Sequence, residues 1–379
     1  MFAQTLISNE FPEQSDLIYL NHAAVAPWPK RTADAVCNFA RENFQYGAKH
    51  YPRWLEVEAQ TRQMLATLIN APTADDIALL KNTSEGLSLI AYGLDWRAGD
   101  NIVISDEEFP SNRVVWQSLA HLGVEVREVN LQQAHDPEQA LLDATDTRTR
   151  VFSISSVQYA SGLRMNLLKL GEYCHQHAIL FCIDAIQSLG ALDFDVQACH
   201  ADFVVADGHK WMLGPEGVAL FYVRAEIRPT LKLHEYGWHM LEHVGDYQRK
   251  QWEVAKSARR FECGSPNILG THALHASLSL LLEMGMPQIE AELLEHTCYL
   301  IEQIHQAPEL RLLSNESPDR ISGIVTFIHN TIPPDTLYKK LMQANVICAA
   351  RGEGIRFSPH FYTPLTQLEH AIRLARTMN

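Results

Sequence analysis

The stretch from Ile179 to Arg224 constrains the fold most, because it places two charged residues among apolar strands. Asp184 directly follows the apolar run 179–183, and Lys210 lies between the apolar run 203–206 and the apolar run 218–223. A buried charge is costly unless a partner neutralises it. We therefore expect both side chains to face one ligand, which has a cationic nitrogen at one end and an aldehyde at the other.

Pyridoxal phosphate has both of these groups. In enzymes that use it, a lysine forms a Schiff base with the aldehyde and an acid pairs with the pyridinium nitrogen. Taken alone, Asp184 is more typical of a helix cap and Lys210 of an ordinary loop residue. Together, in this order and spacing, they favour the cofactor.

From about residue 77 onward, segments of strand length alternate with segments of helix length. The predicted strands are 77–80, 102–105, 124–129, 151–155, 179–183 and 218–223. This alternation indicates an α/β fold with a mostly parallel sheet between layers of helices, in which ligands bind beyond the carboxyl ends of the strands. We predict a large cofactor-binding domain of residues 16–283, and a small α+β domain of residues 1–15 and 284–379.

Two short motifs, Asp184-Ala-Ile-Gln187 and Gly208-His-Lys210, resemble the signature of a known family. It is the class-V aminotransferase and cysteine desulfurase group of fold-type I pyridoxal phosphate enzymes, and the resemblance covers about residues 17–375. It implies that Lys210 forms the Schiff base and then acts as general acid and base. It also implies that Asp184 keeps the ring nitrogen protonated and that Gln187 bonds the phenolic oxygen.

The resemblance implies further cofactor contacts by Thr83, Ser84, Phe109, Ser156, His209 and Ser265. A helix that begins at Thr83 would add partial positive charge for the phosphate, although Ser84 also suits a plain N-cap. Phe109 would stack on the ring, where desulfurase-like relatives carry His. Asp207 replaces the usual Ser, and an acid there would repel phosphate. Ser265 would reach the phosphate of a neighbouring subunit, which implies a homodimer with shared active sites; a plain Gly-Ser-Pro turn is the alternative.

Four residues are candidates for the substrate side of the site. Arg356 lies where relatives bind the α-carboxylate, and a guanidinium suits such a two-point contact. Arg351 is a second candidate, and a surface salt bridge is the alternative for either arginine. His22 and Ala23 lie in a turn of small residues that enters the active site in the family, or that serves packing alone.

The short segment between Arg351 and Arg356 departs from the desulfurases, which carry a longer loop there with a sulfur-accepting cysteine. Cys348 precedes it within an apolar strand, where a buried, inert thiol is expected. These departures favour an isopenicillin N epimerase-like branch over true desulfurases. Transamination is the first expectation; racemisation or epimerisation and β-elimination at a C–S bond share its first steps, and a non-catalytic scaffold or sensor is the alternative of another class.

Composition narrows the partners. A net charge of -14 argues against nucleic acid and anionic membranes, and no apolar run approaches the ~20 residues of a membrane span. Seven scattered cysteines favour reduced thiols and a cytoplasmic location. His239 and His243 are four residues apart but lack a third ligand at a fixed distance, so we predict no metal.

Overall fold

The computed structural model describes residues 2–11 and 16–378. Its strands are β1 (Ile18–Tyr19), β2 (Ile77–Leu80), β3 (Asn101–Ser105), β4 (Glu125–Val129), β5 (Thr149–Ser155), β6 (Leu180–Asp184), β7 (Phe203–Asp207), β8 (Ala219–Val223), β9 (Leu310–Leu312), β10 (Val325–His329), β11 (Val346–Ile347), β12 (Ala349–Arg351) and β13 (Gly354–Phe357). Its helices are α1 (Phe2–Glu10), α2 (Lys30–Tyr46), α3 (Tyr51–Leu68), α4 (Thr83–Gly93), α5 (Ser111–Gln117), α6 (Pro137–Asp143), α7 (Leu167–Gln176), α8 (Ile268–Met284), α9 (Met286–His305), α10 (Pro334–Gln343) and α11 (Leu365–Thr377).

The largest sheet has seven strands in the order β2-β8-β7-β6-β5-β3-β4. Its strands are parallel except for β8, which is antiparallel to both of its neighbours. Side chains of a strand point to alternate faces: Phe203 and Val205 belong to one buried cluster, and Val204 and Ala206 to the other. Two cores, one on each face, therefore hold the helices against the sheet, as predicted for an α/β fold.

A second, antiparallel sheet of four strands, β12-β13-β10-β9, forms the C-terminal part of the chain. Its core contains Leu300 of α9, Leu337 of α10 and Leu368 of α11, so this part is α+β as expected. Sequence analysis did not predict α9 or β9. The domain limits stay a prediction, and residues 1, 12–15 and 379 lie outside the described residues.

The seven-stranded sheet brings the ends of three strands to one edge. Ser155 of β5 pairs in register with Asp184 of β6, and Asp184 with Val205 of β7. The start of α4 reaches the same edge, since a Cβ on Gly86 would lie 2.7 Å from a side-chain carbon of Val205; only glycine allows this approach. Within the described ranges, no helix has the length and apolar content needed to cross a membrane.

Candidate active site

Asp184 and Lys210 line the same cavity, which has a volume of about 290 Å³. Asp184 is the last residue of β6, and Lys210 lies in the turn after β7; both are buried. Leu213 holds this turn in a left-handed conformation, with φ of 59°, while its N–H donates to Lys210 O at 3.0 Å. Such a conformation costs about 1–2 kcal/mol in a residue with a side chain, so the surrounding core must fix the turn.

The cavity shifts the proton affinities of both groups. Burial lowers the pKa of Lys210, and the guanidinium of Arg356 lowers it further. Burial raises the pKa of Asp184, and the nearby Glu108 adds to that rise. An amine that loses its proton easily suits a nucleophile and base. A buried acid whose ionised form is stabilised by a cationic partner suits a pyridinium ring.

Gln187 and Phe109 complete the middle of the cavity. Gln187 donates from Nε2 to Ala23 O at 3.0 Å, and its Oε1 accepts from Trp211 at 2.8 Å. These bonds fix the amide beside Asp184 and leave one Nε2 hydrogen available. The Phe109 ring is 42% exposed although it lines the cavity, and Lys210 Nζ lies 5.6 Å from its centroid. An exposed aromatic face beside the lysine is where a planar ring would stack.

One end of the cavity holds Thr83, Asp207 and His209. Asp207 Oδ2 accepts from the Thr83 N–H at 3.2 Å. Three buried atoms there, Thr83 Oγ1, Asp207 Oδ1 and His209 Nδ1, have no partner among the described residues. Buried polar atoms are almost always paired. This end therefore fits a ligand rich in oxygen, such as the phosphate of the expected cofactor.

Arg356 and Arg351 line the same cavity. Arg356 is 1% exposed and donates to Tyr159 O at 2.6 Å and to Asn21 Oδ1 at 3.4 Å. Its Nε has no partner among the described residues, and burial lowers its pKa to about 9. A buried cation without an anion is costly, so this geometry fits an anionic ligand such as the carboxylate predicted for this position. Arg351 is exposed, and its guanidinium donates to the neighbouring Ala350 O at 2.9 Å.

Ala23 lines the cavity but His22 does not. His22 is fully buried, with Nδ1 at 2.8 Å from Ser358 O and Nε2 at 2.7 Å from the Tyr362 hydroxyl. Asn21 is bridged to Ser358, and the chain then turns, with the Ala24 N–H donating to Asn21 O at 2.9 Å. The His22 ring therefore lies outside the cavity lining, whereas its neighbour Ala23 belongs to it; a role for His22 on the substrate side stays a prediction.

Three predicted cofactor residues also lie outside the cavity. The exposed Ser84 hydroxyl donates to Ser111 Oγ at 2.8 Å, because it projects from the helix in a different direction from Thr83. Ser156 bonds to Ser188 and to Asp184 O, so it holds the ends of β5 and β6 together. Ser265 is exposed in a separate recess with Asn267. Within a single chain, the structure brings none of these hydroxyls to the cavity.

Glu108, Tyr159 and Asn21 contribute to the site and were missed as site residues. Tyr159 and Asn21 accept hydrogen bonds from Arg356 and so fix its position. Glu108 accepts hydrogen bonds from the segments around it. Asn21 lies within the small-residue segment that sequence analysis singled out. Glu108 precedes Phe109 and follows an apolar strand. An acidic residue in that position was the signal from which its place in the site could have been predicted.

His239 lies close to two buried carboxylates and not to His243, which is exposed. Its ring nitrogens are 3.6 Å from Glu58 and 3.5 Å from Glu262, and the three possible ligand atoms lie within 4.8 Å of one another. Arg62 pairs with both carboxylates. A divalent cation would meet this guanidinium, so the cluster is better described as an ion network that joins α3 to the segment around residue 262.

Comparison with known proteins places this geometry in context. The family model described as aminotransferase class-V matches residues 18–375. A probable cysteine desulfurase of Methanothermobacter thermautotrophicus is 29% identical over 354 residues, which are 91% of this chain and 86% of that protein. The structure of a C-DES mutant with glycine covalently linked to its PLP cofactor has a TM-score of 0.90 at 22% identity, covering 97% of this chain and 98% of that chain.

A second solved structure, the complex between the cystine C-S lyase C-DES and its product cysteine persulfide, has a TM-score of 0.88 at 22% identity. The match covers 97% of this chain and 99% of that chain. At this level of identity the likeness concerns the fold. The predicted fold-type I architecture is thereby confirmed.

Proposed function

The chain belongs to the class-V aminotransferase family, and from this premise we propose that it is a pyridoxal phosphate-dependent C–S lyase that acts on an S-substituted cysteine. The observation that carries the proposal is the convergence of Lys210, Asp184 and Arg356 on one cavity. When bound, the cofactor supplies an aldehyde for the substrate amine and a ring that draws electrons from the α-carbon.

Each residue that lines the cavity has a separate role in the proposed reaction. Arg356 binds the α-carboxylate, which fixes the amino acid relative to the ring plane. Asp184 keeps the ring nitrogen protonated and so favours loss of the α-proton. Lys210, whose pKa is lowered by burial, removes that proton at Nζ. Phe109 would stack on the ring, and Thr83 and His209 would hold the phosphate.

We propose that no thiol of this chain accepts the leaving sulfur. None of the described residues that line the cavity is a cysteine. Cys348 is buried, and burial raises the pKa of its thiol to about 12. A low thiolate fraction makes a poor nucleophile. We therefore propose that sulfur leaves with its substituent, as it does in a lyase whose product is a small-molecule persulfide, and not on the protein.

A disulfide-containing amino acid such as cystine fits this site better than free cysteine. Phe109 stands where desulfurase-like relatives carry His, so Lys210 is the main group that can donate a proton near the β-carbon. The persulfide released from cystine leaves as an anion more readily than the hydrosulfide released from cysteine, because it is the weaker base, and it needs less acid assistance. The name of the relative, a probable cysteine desulfurase, and that of the structural neighbour, a cystine C-S lyase, support C–S chemistry.

The reaction is tested by incubating the cofactor-loaded protein with cystine, cysteine and alanine, and identifying products by mass spectrometry. We expect pyruvate, ammonia and a persulfide from cystine, with cysteine slower. Lys210→Ala is the matched control; it should lose both turnover and the adduct that borohydride reduces. Pyruvate formation from cystine that persists in Lys210→Ala, or no release of sulfur from any sulfur-containing amino acid, would contradict the proposal.

Transamination, the activity expected first from the sequence, is the second candidate. Phe109 stands where desulfurase-like relatives carry His, and this favours transamination, because Lys210 alone suffices as the base that moves a proton from the α-carbon to the cofactor. In the same experiment it would give pyridoxamine phosphate and a keto acid that keeps the side chain. An inverted α-carbon would instead indicate racemisation.

We also propose a homodimer with shared active sites, in the cytoplasm. Two observations support it: Ser265 lies outside the cavity of its own chain, and the large apolar side chains of Phe44, Tyr247 and Trp252 are 89%, 77% and 58% exposed, so they are available to an interface. All seven cysteines are free, which suits a reducing compartment. Mixing inactive Ser265→Ala and Lys210→Ala subunits should restore activity if each site uses both chains; no recovery would argue for an independent monomer.

A further inference from the structure

Asp207 occupies the part of the cavity that the proposed cofactor phosphate would fill. It is the last residue of β7, and its Oδ2 accepts from the backbone N–H of Thr83 at 3.2 Å. Its Oδ1 is buried without a partner among the described residues. This carboxylate therefore uses one of the N–H groups at the start of α4 that would otherwise bind an anion.

The surroundings supply little positive charge to offset a bound dianion. His209 Nδ1 lies 3.9 Å from Asp207 Oδ1, but burial and the Lys210 charge lower the pKa of His209 to about 4, so its ring is neutral near pH 7. Glu216, exposed at the rim, is a second acid on the cavity wall. Lys210 is committed to the cofactor aldehyde. A bound phosphate dianion would thus lie next to an ionised Asp207. Two negative charges this close in a buried site repel each other strongly, so one of the two groups must be protonated.

We propose that Asp207 binds the cofactor phosphate as a neutral carboxylic acid. It takes up one proton from solvent when the phosphate arrives, and the Oδ1–H then donates to a phosphate oxygen while Oδ2 continues to accept from Thr83. The inference rests on the proposed function, since it presupposes that this cavity holds pyridoxal phosphate. No bond is made or broken apart from the transfer of this proton.

The apoprotein already favours this proton. Burial raises the pKa of Asp207 to about 6, against the opposing effects of the Thr83 N–H and of Lys210. Above that value the free site must gain a proton on binding, so affinity for the phosphate falls as pH rises, by about tenfold per pH unit. The fall ends at the higher pKa that the carboxyl has in the complex. Asp207→Asn donates the same hydrogen bond from its amide without taking up a proton, so its affinity should lack this slope.

The test uses pyridoxamine 5′-phosphate, which lacks the aldehyde and so separates the phosphate from the bond to Lys210. Dissociation constants are measured by calorimetry between about pH 7 and 9, in buffers of different ionisation enthalpy that count protons. Above pH 7 we expect the ratio of wild-type to Asp207→Asn dissociation constants to grow about tenfold per pH unit, with about one proton taken up by the wild type only. Pyridoxamine without phosphate should show no such difference.

Glu216→Gln is the matched control, because it removes an acid from the same wall without touching Thr83. It should keep the wild-type slope and proton uptake. Equal slopes in wild type and Asp207→Asn, or a slope abolished as fully by Glu216→Gln, would overturn the role of Asp207 and leave the proposed function intact. Failure of all three proteins to bind either the phosphate ester or pyridoxal phosphate would overturn both.

Discussion

Replacing Glu108 with glutamine tests the buried network beneath the candidate active site. The Glu108 carboxylate is 3% exposed. It accepts five hydrogen bonds, from Ser105 Oγ, Asn112 Nδ2, the backbone and hydroxyl of Ser155, and Gln158 Nε2. These bonds tie the loop that carries Phe109 to the end of β5, beside Asp184. An amide has only one acceptor oxygen, so it can replace only one of the two carboxylate oxygens.

The cost follows from which bonds survive. With the glutamine oxygen at the Oε1 position, the Ser105, Ser155 N–H and Gln158 bonds remain, and the Ser155 hydroxyl can rotate to accept. The Asn112 Nδ2 then faces another N–H donor. An unsatisfied buried donor costs about 1–3 kcal/mol, and the surviving bonds lose their charge assistance. We expect Glu108→Gln to lower the free energy of unfolding by about 3 kcal/mol.

Asn112→Asp supplies the missing acceptor. Asn112 Oδ1 already accepts from Trp116 at 2.9 Å and Ser153 at 2.6 Å, and a carboxylate keeps both bonds while its other oxygen can accept from the glutamine amide. Alone, this change sets two carboxylates against each other and should also destabilise the fold. In the double variant the charge has moved and every donor has an acceptor, so about 2 kcal/mol of the summed loss should be recovered.

The assay is urea unfolding of the apoprotein, followed by far-ultraviolet circular dichroism and compared at equal m values. Glu56→Gln, an exposed counterpart on α3, should change the free energy by less than about 0.5 kcal/mol. Additive losses in the double variant, within about 0.5 kcal/mol of the sum, would show that Glu108 and Asn112 are not coupled in this way.

Three further outcomes are expected. Arg356→Lys keeps the charge but loses the two-point contact, so the KM for the amino acid should rise about thirtyfold, or about 2 kcal/mol. The kcat should change little. An unchanged KM would show that Arg356 does not bind the α-carboxylate. Cys348→Ala should leave turnover within about twofold because the thiol is buried; lost activity with a persulfide trapped on Cys348 would restore a protein-bound acceptor. Burial lowers the pKa of His22 to about 4, below its unfolded value of about 6.5, so the unfolded chain binds the extra proton and stability falls as pH drops through that window. His22→Asn, which can keep the donor to Ser358 O, should lose less stability than wild type between about pH 7 and 5 in urea titrations; equal losses would show that His22 does not carry the effect.

The strand ends were predictable from the sequence because the apolar runs are short and buried on both faces. Their positions predict that Thr83, Phe109, Ser156 and Asp184 meet at one edge. The structure brings Thr83, Phe109 and Asp184 to one cavity with Lys210, whereas Ser156 bonds to Ser188 outside the cavity lining. Their roles stay predictions. Direction within a turn was not predictable: His22 and Ala23 are adjacent in the sequence, but only a known path of the chain shows which one faces the ligand.

The helix α9 was missed for a related reason. Its buried stripe of Ile289, Leu293 and Leu300 is interrupted by His296 and Thr297, which are also buried. Periodicity records apolar residues only, so polar residues that find partners in the core weaken the signal. Thr297 Oγ1 donates to Ser322 O at 2.6 Å, and His296 Nδ1 lies 3.1 Å from His360 O. Tertiary contacts made these positions compatible with burial, and a single sequence does not show them.

The charges of the cavity are reversed relative to the proposed cofactor, and under the proposed function this reversal would separate the cofactor from the substrate. Arg351, Arg356 and Asp207 all line the cavity; under the proposed function the arginines would take the α-carboxylate and Asp207 would face the phosphate. Charge alone would direct any free anion to Arg356. In the proposed site the ring nitrogen would pair with Asp184 and the aldehyde with Lys210, and these two contacts would set the orientation of the cofactor. Neutral donors and the start of α4 would then hold its phosphate, which would leave the buried guanidinium of Arg356 for the substrate.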